Sequence, residues 1–200
     1  MVLSCWLKFW RVYLTRKGLS SFKRKLMNLY QKKSRGNSPC IQAYFHCVLK
    51  SSRNNDNVSI LKNLLSDLEK INTDVAQEMF LRATAEFYAF NQNDESRAIN
   101  TINDSIRKYP ESLFSKFAKF EISEKFKNIK GMEDALQSLE FLDRNSYFFN
   151  AFLRARILLL AHKGEKDKAY GSVETNLKNF PSTTKLKIRN KIEQILNTLK

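Results

Sequence analysis

The sequence predicts an all-α chain of consecutive antiparallel helical hairpins, on three observations. From Pro39 onward the apolar residues recur at helical spacing in segments divided by short polar breaks, without the alternation of strands. Only five glycines and three prolines punctuate 200 residues, too few turns for a many-stranded sandwich or barrel. A hydrophobic share of 42%, with 12% aromatic residues, is enough for a buried core, so disorder is not expected.

The chain divides into a basic amphipathic segment, 1–36, and a helical domain, 37–200. The net charge of +15 belongs largely to the first part: twelve Lys or Arg precede the first acid, Asp56, and the remainder holds 23 basic against 20 acidic residues. The body is therefore an ordinary mixed surface, and the high isoelectric point carries little information about it. Wound as a helix, the start puts Lys8 and Arg11 on a polar strip opposite Trp6, Trp10 and Tyr13, with Phe9 beside them. Farther on, Leu19, Phe22, Leu26 and Leu29 oppose Lys23, Arg24 and Lys25. Lys8 and Arg11 interrupt the apolar run well short of the about 20 residues that would span a bilayer. Four readings stay open for this segment: a degenerate first hairpin, contact with an anionic membrane surface, mitochondrial targeting, or a nucleic-acid arm. In the membrane reading, Trp6, Lys8, Phe9, Trp10, Arg11, Tyr13, Lys23, Arg24 and Lys25 make the contact.

The helices of the domain follow their caps. Ser38 and Pro39 open one over 39–51, and Asn55 or Asp56 opens the next, to about Lys70. Thr73 or Asp74 begins a helix to about Asn91, and Asp94 caps another that ends before Pro110. Further helices are expected over 111–127, 132–143, 146–162, 165–179 and 182–199, with Gly131 and Gly164 at turns.

An internal repeat underlies these segments. SRAINTINDSIRKYP, ending at Pro110, aligns without a gap on DKAYGSVETNLKNFP, ending at Pro181, so that Ala98 matches Ala169, Ile102 matches Val173 and Ile106 matches Leu177. Between them EDALQSLEFLDR puts Ala135, Leu139 and Leu142 in the same register but has no closing proline. Upstream, SILKNLLSDLEKI is a poorer copy with Ile60 in the alanine position.

This pattern resembles the tetratricopeptide repeat, a helix-turn-helix unit of about 34 residues whose second helix carries an early alanine, a bulky residue four later and a closing proline. In the first helices, Ala85 with Leu81 and Tyr88, and Ala118 with Phe114, are the nearest matches to the family pattern. The resemblance implies a right-handed α-solenoid, residues 39–181, closed by a C-terminal capping helix that uses Leu186, Ile192, Ile195 and Leu199. It also implies a concave face for a partner's peptide or helix, on which Arg82, Lys116, Lys119 and Arg154 are the candidate partner-binding residues. By that analogy the chain is a protein-binding adaptor, cytoplasmic and peripheral on a membrane or, with a targeting segment, in the mitochondrial matrix. A basic repeat protein associated with RNA is the alternative.

Nothing in the sequence points to chemistry. It has no glycine-rich phosphate loop, and no serine or cysteine stands in a nucleophile arrangement with histidine and aspartate, so neither an enzyme nor a cofactor is expected. Cys40, His46 and Cys47 lack a fourth ligand for tetrahedral zinc, and the cysteines read as buried thiols. The carboxylate pairs Asp94 with Glu95, Glu121 with Glu124, and Glu133 with Asp134 read as helix starts or solvated faces. Phe114, Phe117, Phe120, Phe148, Phe149 and Phe152 keep the spacing of a helix's core face. In FFNAFLRARILLL, Arg154 and Arg156 need a partner or a groove, and an internal salt bridge is expected of one of them.

Overall fold

The computed structural model describes residues 38–51, 58–178 and 180–199. The expectations for Trp6, Lys8, Phe9, Trp10, Arg11, Tyr13, Lys23, Arg24 and Lys25, and the cap at Asn55 or Asp56, lie outside the described residues. Among those described there are nine α-helices and no strand: α1 Ser38–Ser51, α2 Val58–Glu69, α3 Asp74–Phe90, α4 Glu95–Lys108, α5 Leu113–Lys125, α6 Ile129–Gln137, α7 Phe149–His162, α8 Lys166–Asn176 and α9 Ser182–Asn197. They fall into two compact units, one up to Ser112 and one from Leu113.

In the first unit each helix packs on the next and α1 also packs on α3. Phe45 of α1, Leu61, Leu64 and Leu68 of α2, and Ala83 and Phe87 of α3 form one core. Removing such a Leu or Phe side chain from water stabilises the fold by about 1.5–3 kcal/mol. Thr73 caps α3 by accepting the Ala76 N–H at 3.3 Å, and Asp94 caps α4 by accepting the Arg97 N–H at 2.9 Å, both at the positions expected. The alanine position of the poorest repeat moves by one residue. Ile60 is half-buried at the edge, whereas Leu61, Leu65 and Leu68 are buried in the pattern of Ala98, Ile102 and Ser105.

In the second unit α5 packs on α6, α6 on α7, α7 on α8, and α9 on both α7 and α8. One core joins Phe120, Met132, Leu136, Leu139 and Phe152. The other joins Ile157, Ala161, Ala169, Val173 and Leu177 to Ile188, Ile192 and Ile195 of α9. Helix α9 thus covers α7 and α8 as a closing helix would, but Leu186 and Leu199 are exposed at 57% and 49%, and Ile188 takes the inward position instead.

The helix expected over 132–143 begins earlier and ends earlier. Asn128 accepts the Gly131 N–H at 2.8 Å and starts α6 at Ile129. After Gln137 the polar side chains bond to the nearby backbone instead of extending the helix. Ser138 Oγ donates to the Ala135 carbonyl at 2.7 Å, and Asp143 Oδ1 accepts the Asn145 N–H at 2.8 Å. Turns therefore carry the chain to Phe149. Gly131 is a helix residue rather than a turn residue: a Cβ there would lie 2.5 Å from Ser123 Oγ, so its bare α-carbon lets α6 approach α5 closely. Gly164, at φ +75°, does occupy a turn.

Candidate partner-binding site

In the first unit several polar side chains of α1 and α3 turn inward. Glu78, Arg82 and Glu86 repeat every fourth residue along one face of α3, and all three are buried. Arg82 Nε donates to Glu78 Oε1 at 3.1 Å, and Ser112 Oγ donates to the same oxygen at 2.7 Å. On α1, His46 Nδ1 lies 3.0 Å from Glu86 Oε2, and one turn earlier Gln42 is fully buried with neither amide atom hydrogen-bonded. Arg82 is thus neutralised by Glu78 in a buried polar seam along α3, withdrawn from solvent. The seam occupies His46, the histidine of the Cys40–Cys47 trio; the side chains of Cys40 and Cys47 are not among those described.

The other candidates belong to the second unit. Lys116 is buried on α5 with its Nζ 4.9 Å from the centre of the Phe141 ring, and Lys119 is half-buried. Arg154 is half-buried, with its guanidinium 5.3 Å from the centre of Phe180 and its Nε buried without a hydrogen bond. Burial holds its pKa below the ordinary arginine value. Arg156 is exposed, 5.7 Å from the Phe152 ring centre. The expected internal salt bridge is absent: among the described residues neither Arg154 nor Arg156 meets a carboxylate, and aromatic faces take that place.

A carboxylate half-buried in this unit is that of Glu124, which the sequence assigns to an N-terminus or a solvated face. Lys191 Nζ of α9 lies 2.8 Å from its Oε1 and donates to its Oε2 at 2.9 Å, while His162 Nε2 of α7 lies 3.5 Å from Oε1. Burial pushes the Glu124 pKa up, but His162 and Lys191 together pull it below the ordinary glutamate value. One side chain thereby ties α5, α7 and α9. Glu133 pairs with Lys163 at the surface, and Asp94 serves as a cap.

A cleft of about 590 Å³ opens along α7 and α8. Phe149, Leu153, Ile157 and Leu160 of α7 give it an apolar wall, and Ser172, Thr175 and Asn176 of α8 give it a polar rim. Arg144, from the turns after α6, and Arg156 supply its charge, and no acid lines it. The Thr175 hydroxyl donates to the Gly171 carbonyl at 3.0 Å and keeps its oxygen available as an acceptor. Sequence reasoning singled out Arg156 but missed Arg144 and the α8 rim. Their one sequence signal is polar or small residues at 172, 175 and 176 along a helix whose other side is core.

The class that the fold defines is an all-helical protein whose helices pack on one another within each unit. Against family models, curated proteins and solved structures, the chain has no match.

Proposed function

We propose that the chain is a non-enzymatic protein-binding scaffold, a right-handed stack of tetratricopeptide-like hairpins closed by α9 and held at an anionic membrane surface by its basic N-terminus. The observation that carries this reading is the shared register of the second helices. Leu61 and Leu65, Ala98 and Ile102, Ala135 and Leu139, and Ala169 and Val173 are all buried, each pair four residues apart. Hairpins that bury the same positions against their neighbours use repetition to hold an extended surface in shape, and such surfaces suit peptides and helices better than small substrates. The α7–α8 cleft adds support, because it combines apolar residues of α7 with Arg144 and Arg156, which meet no carboxylate among the described residues. The membrane part rests on the charge distribution, with twelve basic residues ahead of the first acid, and on the tryptophans Trp6 and Trp10 among them.

The test is capture by the full chain at low and moderate salt, with and without nuclease. The reading expects a protein partner retained under all four conditions. Recovery of RNA alone, lost steeply as salt rises, would contradict it and favour an RNA-associated repeat protein. For the membrane part, the double change Trp6→Ala and Trp10→Ala is expected to abolish co-sedimentation with phosphatidylserine vesicles, and unchanged sedimentation sinks that part alone.

A further inference from the structure

Helix α6 is nine residues long, against fourteen in α4 and eleven in α8, and the turns that follow it carry Arg144 to the mouth of the α7–α8 cleft. Three features of this cleft restrict what fits it. Phe149, Leu153 and Leu160 lie along one face of α7 and offer a narrow apolar strip within a lining that is otherwise polar, room for one apolar side chain beside polar groups. Arg144 and Arg156 are exposed and meet no carboxylate among the described residues, so an incoming anion displaces no internal ion pair. The rim offers the Asn176 amide, which both donates and accepts, beside the Ser172 and Thr175 hydroxyls, a set matched to the alternating N–H and C=O of a peptide backbone.

From this combination we infer that the α7–α8 cleft is a docking site for an acidic peptide segment of a partner protein. In it an aliphatic or aromatic side chain packs on Phe149, Leu153 and Leu160, and a neighbouring carboxylate bridges Arg144 and Arg156. The inference rests on the scaffold reading and gives it a location and a partner chemistry. A nucleic-acid strand is the poorer occupant, since two guanidiniums neutralise few phosphates. A volume of about 590 Å³ holds a few residues, the scale of a short linear motif rather than of a folded domain.

The experiment uses the full chain and a pool of fluorescein-labelled heptapeptides, each with one Leu or Phe and one Asp or Glu at every mutual spacing, against the same pool with Asn or Gln for the acid. The acidic pool is expected to bind more tightly, with a preferred spacing. Arg144→Glu and Arg156→Glu are each expected to weaken the preferred peptides about tenfold or more. Lys187→Glu, the same charge change at an exposed position of α9 outside the cleft, should leave them within about twofold. Because all three positions are exposed, helical circular dichroism should be unchanged in each variant. Equal binding of the two pools, or binding indifferent to both arginine reversals, would overturn the inference. So would a decauridine strand or oleate that binds in place of the peptides with the same arginine dependence. If the doubly reversed chain still captures the wild-type partner, the cleft fails as the site while the scaffold reading stands. If the wild-type chain captures no protein, the scaffold reading itself fails.

Discussion

In the unit up to Ser112, helix α3 carries Glu78, Arg82 and Glu86 inward, and each meets an opposite charge or a hydrogen-bond partner on its own unit. In the unit from Leu113, helix α7 carries Arg154 and Arg156 onto aromatic rings, and the half-buried carboxylate of Glu124 is already held by His162 and Lys191. Both helices put charge into apolar sequence. The difference lies in what completes that charge. A closed seam adds specificity to packing and offers a ligand little, whereas an arginine facing only a ring keeps most of its electrostatic capacity for an incoming anion.

The largest expected effect breaks the closed seam. Arg82→Met leaves Glu78 buried without its cation and is expected to destabilise the protein by about 3–5 kcal/mol in urea unfolding. Adding Glu78→Leu removes the stranded charge, and the double variant should return to within about 1–2 kcal/mol of the parent. Additive losses would show that the seam is not coupled as described.

The next effect tests the clasp of the second unit. Glu124→Gln is expected to cost about 1–2 kcal/mol at neutral pH, a modest figure because Lys191 is partly in water. The sign of its pH dependence follows from the depressed folded pKa of Glu124. Its stabilisation is fully present above the ordinary glutamate range and is lost as pH falls from there through the lower folded value. Thermal melts of the parent should therefore drop in that acid window, and those of Glu124→Gln should drop less. Parallel acid limbs would refute the assignment.

The same comparison explains how much was legible in the sequence. Helix positions were, because caps such as Thr73 and Asp94 and the buried register of Ala98, Ala135 and Ala169 are local or periodic signals. The truncation of α6 was not, because Leu139 and Leu142 keep their core register even after the helix gives way to turns. The one-residue shift from Ile60 to Leu61 escaped notice because a run with Leu64 and Leu65 adjacent supports two registers. Charge partners were least legible. Glu124 and Lys191 stand 67 residues apart, and nothing local separates Arg82, which finds a carboxylate one turn away, from Arg154, which finds a ring.

The smallest effect concerns the start of α6. Asn128→Ala removes the cap on Gly131 and is expected to cost about 1 kcal/mol. Thr73→Ala, whose capping bond is longer at 3.3 Å, should cost less. The reverse order would mean that the start of α6, and with it the turns that set Arg144, is not held by Asn128.

The most direct test of the difference between the two units is arginine labelling of the full chain with a dicarbonyl reagent, read residue by residue with and without a saturating peptide from the acidic pool. In the free protein Arg144 and Arg156 are expected to label quickly and Arg82 slowly. With peptide, Arg144 and Arg156 should become protected while Arg82 is unchanged. Labelling of Arg144 and Arg156 that the peptide leaves unaltered, or protection that appears at Arg82 instead, would contradict the account.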